Sequence, residues 1–152
     1  MLEIKSKYLC ELVADLEEPQ IVGETPGGVR MIFPIKGGSF KGDDISGEIL
    51  PGGADWLLFR PDGIGEINVR ATLRTDDDAI IYAYYRGVID AAPEIFGKIQ
   101  TGETVDPSEY YFRTTPVFET GSEKYKWLNK IICVGVGEMG QNQVRYKIYQ
   151  VL

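Results

Sequence analysis

Apolar and polar residues alternate with a period of two along much of this 152-residue chain, and this alternation constrains its fold more than any other feature. Successive side chains of a β-strand point to opposite faces of the sheet, so alternation is typical of a strand with one buried face. The pattern is clearest in EINVRATLR, residues 66–74, and residues 3–12 and 142–152 follow it as well. We therefore predict an all-β fold.

Residues 110–129 are rich in aromatic side chains and indicate a hairpin with its turn at Gly121-Ser122. Before the turn, Phe112 and Phe118 fall on an aromatic face, and the opposite face is amphipathic. After the turn, alternation predicts a second strand with three residues on one face: Tyr125, Trp127 and Asn129. We expect this hairpin to form one wall of a β-barrel.

Glycine content and strand length favour a closed barrel over a flat sandwich. Six glycines lie between positions 37 and 53, where they allow strands to bend sharply at barrel corners. We count about nine to eleven strands, several of them long enough to be tilted barrel strands. One helix is predicted over residues 91–102, with Pro93 at its first position, and it is short enough to act as a mobile flap at the barrel mouth. Residues 1–152 are thus predicted to form a single antiparallel β-barrel domain with one short helix.

Composition excludes several classes of function. The 16 basic and 23 acidic residues give a net charge of −7, which opposes binding to nucleic acid and to anionic membranes. The chain contains no histidine, so histidine-dependent nucleophilic catalysis and His-containing zinc sites are excluded. Cys10 and Cys133 lie in apolar runs, where we expect buried, unreactive thiols. With neither a signal-peptide pattern nor a membrane-span pattern, the protein is expected to be cytoplasmic.

Two motif matches are rejected as functional sites. The run GVGEMG, residues 135–140, fits the glycine pattern of a dinucleotide site. A β-strand pattern follows it where that site requires a helix, so we interpret the run as a glycine-rich hairpin turn. Asp76, Asp77 and Asp78 lack the ligand spacing of a calcium loop and are interpreted as a solvated turn. We predict no metal site and no cofactor.

Arg70 and Arg113 are the candidates for a binding site, because each lies at the centre of a predicted strand. If their faces point into the barrel, both need carboxylate partners, for which Asp55 and Glu119 are the natural candidates. Such a site would bind an anionic or aromatic small molecule, with the arginines on an oxygen of the ligand and the acids moving protons. Two alternatives stay open: an ion-pair network that fixes strand register, and arginines that face solvent.

Six segments spread over nearly the whole chain carry a resemblance to a known family. They are GGSFKG (37–42), PGGADW (51–56), VR (69–70), YFRT (111–114), FET (118–120) and YKWLN (125–129). In them the chain resembles a family of uncharacterised bacterial and fungal proteins, the domain-of-unknown-function family numbered three-two-three-seven. The resemblance implies a calycin-like β-barrel that is usually oligomeric, and it implies no particular activity or cofactor. Two positions depart from the family pattern, Asp78 where Gly is expected and Ser39 where Arg is expected.

The leading functional hypothesis is a small-molecule-binding barrel which, if it is an enzyme, works by acid–base chemistry such as isomerisation, cyclisation or elimination. Asp55 or Glu119 would be the base. Arg70 and Arg113 would stabilise an anion. The pocket walls would be Tyr84, Tyr111 and Trp127. The alternative is a non-catalytic module with a solid interior that assembles with partners. Because residues 79–90 are apolar on both faces, their outer face needs cover, and we predict a homo-oligomer.

Overall fold

Nine strands and one α-helix make up the fold in a computed structural model, which describes residues 2–152. The strands are β1 (Ser6–Leu16), β2 (Gln20–Thr25), β3 (Gly28–Lys41), β4 (Ser46–Phe59), β5 (Gly65–Thr75), β6 (Ile80–Asp90), β7 (Tyr111–Thr120), β8 (Ile132–Gly140) and β9 (Gln143–Val151). The helix, α1 (Pro93–Gln100), follows β6, and short 3-10 helices span Pro107–Glu109 and Lys126–Lys130. No helix among these residues is long and apolar enough to cross a lipid bilayer.

Eight of the strands form a closed antiparallel barrel, in agreement with the predicted fold class. Their order around the barrel is β1-β9-β8-β7-β6-β5-β4-β3, and β1 closes it by pairing with β3 from Glu11–Lys41 to Leu16–Ile35. The first half of β3 pairs with β2 instead of β1. β2 is therefore an edge strand that pairs with β3 alone and is not one of the eight barrel strands. Closure gives every long strand one face inside the barrel and one face outside.

Period-two alternation decides which side chains lie inside. On β5 the inward residues are the apolar ones predicted from the sequence, Ile67, Val69, Ala71 and Leu73, and all four are buried. On β7 the aromatic face predicted from the sequence also lies inside, with Phe112 and Phe118 almost fully buried. The alternation therefore predicted these strands and which residues share a face, and the structure shows that the apolar face is the inner one.

The two ends of the barrel differ. At the end we call the helix end, α1 packs against the barrel, and the Phe96 ring meets the Phe59 ring edge-on with centroids 5.4 Å apart. Pro93 begins this helix, as predicted, and Gly102 follows it with φ +86°. At the opposite end, which we call the turn end, lie the β3–β4 and β5–β6 turns and the 3-10 helix Lys126–Lys130.

The prediction of a second strand in the 110–129 hairpin is wrong, because residues 126–130 form a 3-10 helix and β8 begins only at Ile132. Asn129 explains the difference. Its side chain accepts a hydrogen bond from the Thr120 N–H (2.8 Å) and donates one to the Thr120 carbonyl (2.9 Å). These bonds replace the backbone partners that a second strand would have supplied to the end of β7.

The glycines at 135–140 do not form a dinucleotide site, since β8 leads into β9 and no helix follows. They lie within the strand, whereas the turn itself is at residues 141–142, which corrects the prediction that they form the turn. Gly137 faces inward, and a Cβ atom there would lie within 2.6 Å of the Phe112 ring. The glycine therefore makes room for an aromatic side chain in the core.

Replacing Gly137 tests this packing directly. Gly137→Ala should lower the free energy of unfolding by about 1–3 kcal/mol, because the added methyl group overpacks the core against Phe112. Gly121→Ala is the matched control, since nothing lies within 4 Å of the Cβ position there. Urea denaturation of the two variants measures the difference, and equal effects would contradict the proposed packing.

Candidate functional site

Asp55 is a carboxylic acid on the inner face of the barrel. Its position on β4 is paired with Phe33 on β3 and with Val69 on β5, and Val69 is in turn paired with Tyr85 on β6. Directly paired residues of antiparallel strands share a face of the sheet, and Val69 and Tyr85 are buried in the core. Phe33, Asp55, Val69 and Tyr85 therefore form a row of inward-facing residues across four strands, and Asp55 is the charged residue among them.

Burial controls the electrostatics of Asp55. Desolvation raises the pKa of its carboxyl group to about 6, against two smaller opposing effects. The Asn68 N–H donates a hydrogen bond to Asp55 Oδ1 (3.0 Å), and the positive charge of Arg30 also favours the carboxylate. An acid with this pKa releases and takes up protons close to neutral pH, which suits a general base.

Two tyrosine side chains fill the barrel beside this acid. The rings of Tyr85 and Tyr146 meet edge-on with centroids 5.2 Å apart, and Tyr146 also packs against Phe112 at 5.4 Å. Burial raises the pKa of both phenols, and the negative charge of Asp55 raises each further. Both hydroxyl groups therefore stay protonated, and a hydrogen bond between the two phenols also contributes to their pKa values.

Thr114 adds a hydroxyl group to the same inner surface. It lies between Gly87 and Gly135, with which it is paired, and its side chain is almost fully buried. Within residues 2–152, its Oγ1 is the one buried side-chain oxygen or nitrogen atom without a hydrogen-bond partner. An unpaired buried hydroxyl costs free energy, and such groups call for an explanation at the level of function or bound water.

The inward-facing residues are almost completely buried in one half of the barrel and partly exposed in the other. Toward the turn end, Phe40, Leu73, Ile81 and Ile148 are almost completely buried. Toward the helix end, several inward residues are only half-buried: Met31, Phe33, Asp55, Phe59 and Met139. We call this half, with Asp55, Tyr85, Tyr146 and Thr114, the inner site. It combines apolar and aromatic walls with a few convergent polar groups, as ligand sites commonly do.

Most of the residues that sequence reasoning assigned to the site lie elsewhere. Of that set, Asp55 is inside. Arg70 lies between inward-facing Val69 and Ala71, so the period of two places it outside, where it is exposed. Arg113 is half-buried on the outer face with its guanidinium 4.8 Å from the centroid of the Tyr111 ring. The prediction of two interior arginines is therefore wrong, and of its alternatives the structure favours outward-facing side chains.

The remaining assigned residues are also outside the inner site. Glu119 lies on the outer face of β7 and is exposed, because Phe118 and Thr120 on either side point inward. Tyr84 and Tyr111 are 40% and 52% exposed on the outer surface. Trp127 is half-buried in the 3-10 helix at the turn end. None of the three aromatic residues lines the inner site with Asp55.

Sequence reasoning did not assign Tyr85, Tyr146 or Thr114 to the site. Residues 80–90 are apolar on both faces, so alternation alone does not distinguish Tyr85 from Tyr84. The small residues on these strands could have identified the inner face. Ala83 and Gly87 share the face of Tyr85, and Gly135 and Gly137 on β8 also point into the barrel. Small side chains on one face leave space for bulky inward tyrosines, and they mark the inner face of these strands.

A polar cluster at the turn end is structural. The Asp77 carboxylate accepts hydrogen bonds from Lys124 (2.6 Å), Thr75 (2.6 Å) and the Tyr125 hydroxyl (2.8 Å), which together hold its pKa well below the usual range. The cluster borders a shallow surface depression of about 560 Å³. Because Asp77 has several partners, it anchors the 3-10 helix to the β5–β6 turn, and the inner site remains the better candidate for chemistry.

Comparison with known proteins places this barrel in a family. Residues 4–151 match the model described as "Protein of unknown function (DUF3237)". The chain belongs to the DUF3237 family. It is 38% identical over 149 residues to the UPF0311 protein RPA1785 of Rhodopseudomonas palustris, covering 98% of this chain and 97% of that protein. The prediction of this family, made from six sequence segments, is thereby confirmed.

Solved structures of similar chains share the fold. The crystal structure of RPA1785, described as a conserved protein of unknown function, matches with a TM-score of 0.93 over the whole of both chains. A β-barrel-like protein from Acinetobacter baumannii matches with a TM-score of 0.87 at 36% identity, covering 100% of this chain and 98% of the other. A structure described as an enzyme from Penicillium herquei matches with a TM-score of 0.74 at 19% identity, covering 100% and 97%. At that identity, the last match concerns the fold alone.

The raised pKa of Asp55 makes stability depend on pH. An aspartate has a pKa near 3.9 when unfolded, against about 6 in the folded barrel, so the folded state binds the proton more tightly. The resulting stabilisation is fully present below about pH 4 and is lost as the pH rises through about 6. Asp55→Asn removes this loss, so we expect the variant to be more stable than the parent by about 1–3 kcal/mol at alkaline pH and nearly equal to it under acidic conditions.

Chemical denaturation at a series of pH values measures this difference. Glu18→Gln is the matched control, since the exposed side chain of Glu18 should contribute less than about 0.5 kcal/mol at any pH. A stability gain of Asp55→Asn that stays constant with pH would show that the carboxyl group does not titrate as described.

Proposed function

We propose that this protein binds a small aromatic or apolar molecule in the inner site and that Asp55 acts on it as a general base. The observation that carries the proposal is an inward-facing carboxyl group with a pKa of about 6 beside two buried, protonated tyrosines. Groups with pKa values shifted by burial inside a concave apolar site are characteristic of functional sites. The half-buried aromatic walls formed by Phe33 and Phe59 favour an aromatic or apolar ligand.

The proposed chemistry is proton transfer. Near neutral pH much of Asp55 is ionised, and its carboxylate takes a proton from the bound molecule. Tyr85 or Tyr146 donates a hydrogen bond to the ligand oxygen on which negative charge develops. Asp55 then returns the proton to another atom of the same molecule, which gives an isomerisation or a cyclisation, or to a leaving group whose bond to the molecule breaks, which gives an elimination. The enclosing strands limit access of water during these steps.

Three facts make an anionic ligand the weaker choice. Arg70 and Arg113 lie outside the barrel, and the inner site holds a carboxylate that would repel an anion. The positive charge that favours the Asp55 carboxylate is that of Arg30, whose Nη1 donates to the Trp56 carbonyl (2.7 Å) and so already has a partner. A neutral molecule with an oxygen that accepts a hydrogen bond from one of the two tyrosines fits these groups better.

The comparisons support this proposal only through the fold. The Penicillium herquei structure described as an enzyme has the same barrel, so an architecture of this kind is compatible with catalysis. Shared folds host unrelated functions, and the assignment here therefore depends on the residues of the inner site. In keeping with its two free, buried cysteines, we further propose that the protein works in the cytoplasm.

A non-catalytic role in assembly is the second candidate. The observation that favours it is the solid packing of the turn half of the barrel, where Phe40, Leu73 and Ile81 leave no room for a ligand. On this alternative, Asp55 and the tyrosines would form a buried polar network without substrate.

Ligand capture separates the two candidates. Purified protein is incubated with a cell metabolite extract, and retained compounds are identified by mass spectrometry. We expect the parent and Glu119→Gln to retain the same compound, whereas Tyr146→Phe should retain it about tenfold more weakly because a buried hydrogen-bond donor is lost. Asp55→Asn should bind the compound without converting it.

The structural alternative predicts other results. The parent protein would retain nothing above the level of a denatured control, or all variants would retain the same compounds to the same extent. Circular dichroism spectra of every variant serve to exclude unfolding as the cause of lost binding.

A further inference from the structure

The outer face of β6 and β7 carries apolar side chains that are exposed to solvent. Tyr84 and Val117 are paired across the two strands, and each is 40% exposed. Tyr82 stacks on Tyr84 with ring centroids 5.3 Å apart. On the neighbouring strand β8, Val134 and Val136 are 37% exposed. Contiguous exposed apolar patches are uncommon on monomeric proteins and mark interaction sites.

The charges on this face have an ordered arrangement. We define the β6–β7 face by four directly paired rows: Val88 with Arg113, Arg86 with Thr115, Tyr84 with Val117, and Tyr82 with Glu119. Along β7 the outer residues therefore run from a positive charge at Arg113, through Thr115 and Val117, to a negative charge at Glu119. The two ends of the β7 row have opposite sign, and exposed Arg86 on β6 is a further positive charge beside the centre of the face.

We propose that the β6–β7 face is the contact surface of a two-fold symmetric homodimer. A two-fold axis that lies in the contact plane, perpendicular to β7 at the level of Pro116, exchanges the outer rows of the two copies. Arg113 then faces Glu119 of the partner subunit, and the same pair forms a second time by symmetry. Val117 faces Thr115 of the partner subunit, and Tyr84 faces the partner's Arg86, an aromatic–guanidinium contact.

The neighbouring rows are compatible with the same symmetry. Val88 faces Tyr82 of the partner subunit, so apolar groups meet. On β5, whose outer residues flank the face, Arg70 is paired with Tyr84 and Asn68 with Arg86. The axis therefore brings Arg70 opposite the partner's Asn68. No row on β5, β6 or β7 brings two like charges together, which is the complementarity that a self-associating surface requires.

This surface gives the predicted homo-oligomer a definite form. The outer face of residues 79–90, which is apolar in sequence, is covered by the equivalent face of a second copy. Because barrel walls are convex, the contact is centred on β6 and β7, and the flanking strands supply its rim. The inner site of each copy lies on the other side of the wall, so the dimer and the proposed ligand are independent.

Exchanging the charges of Arg113 and Glu119 tests the proposed dimer contact. Arg113→Glu and Glu119→Arg should each be monomeric at concentrations where the parent is a dimer, because each places two like-charged pairs in the contact. An equimolar mixture of the two variants should form a heterodimer, in which both pairs are again of opposite sign. The double variant R113E/E119R should also dimerise. Analytical ultracentrifugation measures all four, with Ile21→Lys, an exposed apolar position on β2, as the control that leaves the dimer unchanged.

Several results would overturn the proposal. The parent protein could be monomeric at tens of micromolar, or both single variants could remain dimeric. A mixture that stays monomeric while each variant is folded would also exclude this symmetry. Should Arg113→Glu be poorly folded, Val117→Lys provides a second way to place two like charges near the axis, and it must raise the dissociation constant at least about tenfold.

Discussion

The pairing of β1 with β3 is the constraint on which the rest of the structure depends. It joins the first strand to one that begins twelve residues after β1 ends, and it turns an open sheet into a barrel with an inside and an outside. Without closure, Asp55 would lie on a sheet face open to water, and its pKa would be unremarkable. With closure, the same carboxyl group is desolvated beside Tyr85 and Tyr146, and its pKa rises to about 6.

Period-two alternation made much of the fold predictable from the sequence. Where one face is apolar and the other polar, as in β5, alternation identified the strand, and the structure shows that the apolar face is the inner one. Arg70 and Arg113 show the corresponding error: each lies between two buried, inward-facing residues, and the alternation turns each of them outward. In β6 both faces are apolar, so Tyr85 could not be distinguished from Tyr84 without knowing which neighbours are small. The 3-10 helix was missed because Asn129 satisfies the backbone of Thr120 through long-range hydrogen bonds that leave no periodic signal.

The two functions proposed for this DUF3237 protein use opposite faces of β6 and β7. Tyr85 and Thr114 face the interior with Asp55, whereas Tyr84 and Arg113, one residue away from each, face outward. One pair of strands thus contributes to ligand chemistry on one side and to self-association on the other. The inner face of the barrel lowers the stability of the fold, because Asp55 is desolvated there and the Thr114 hydroxyl has no hydrogen-bond partner. Such losses of stability are common at functional sites.

The protonation of Asp55 in the intact protein is the most direct test of this account. Carbon-detected NMR of aspartate-labelled protein, with Asp55→Asn used to assign the resonance, gives the pKa of the carboxyl group. The account predicts a value of about 6, with the Tyr85 and Tyr146 resonances shifting over the same pH range. A pKa near the ordinary 3.9, with no response of the tyrosines, would contradict a desolvated acid inside the barrel and remove the basis for the inner site.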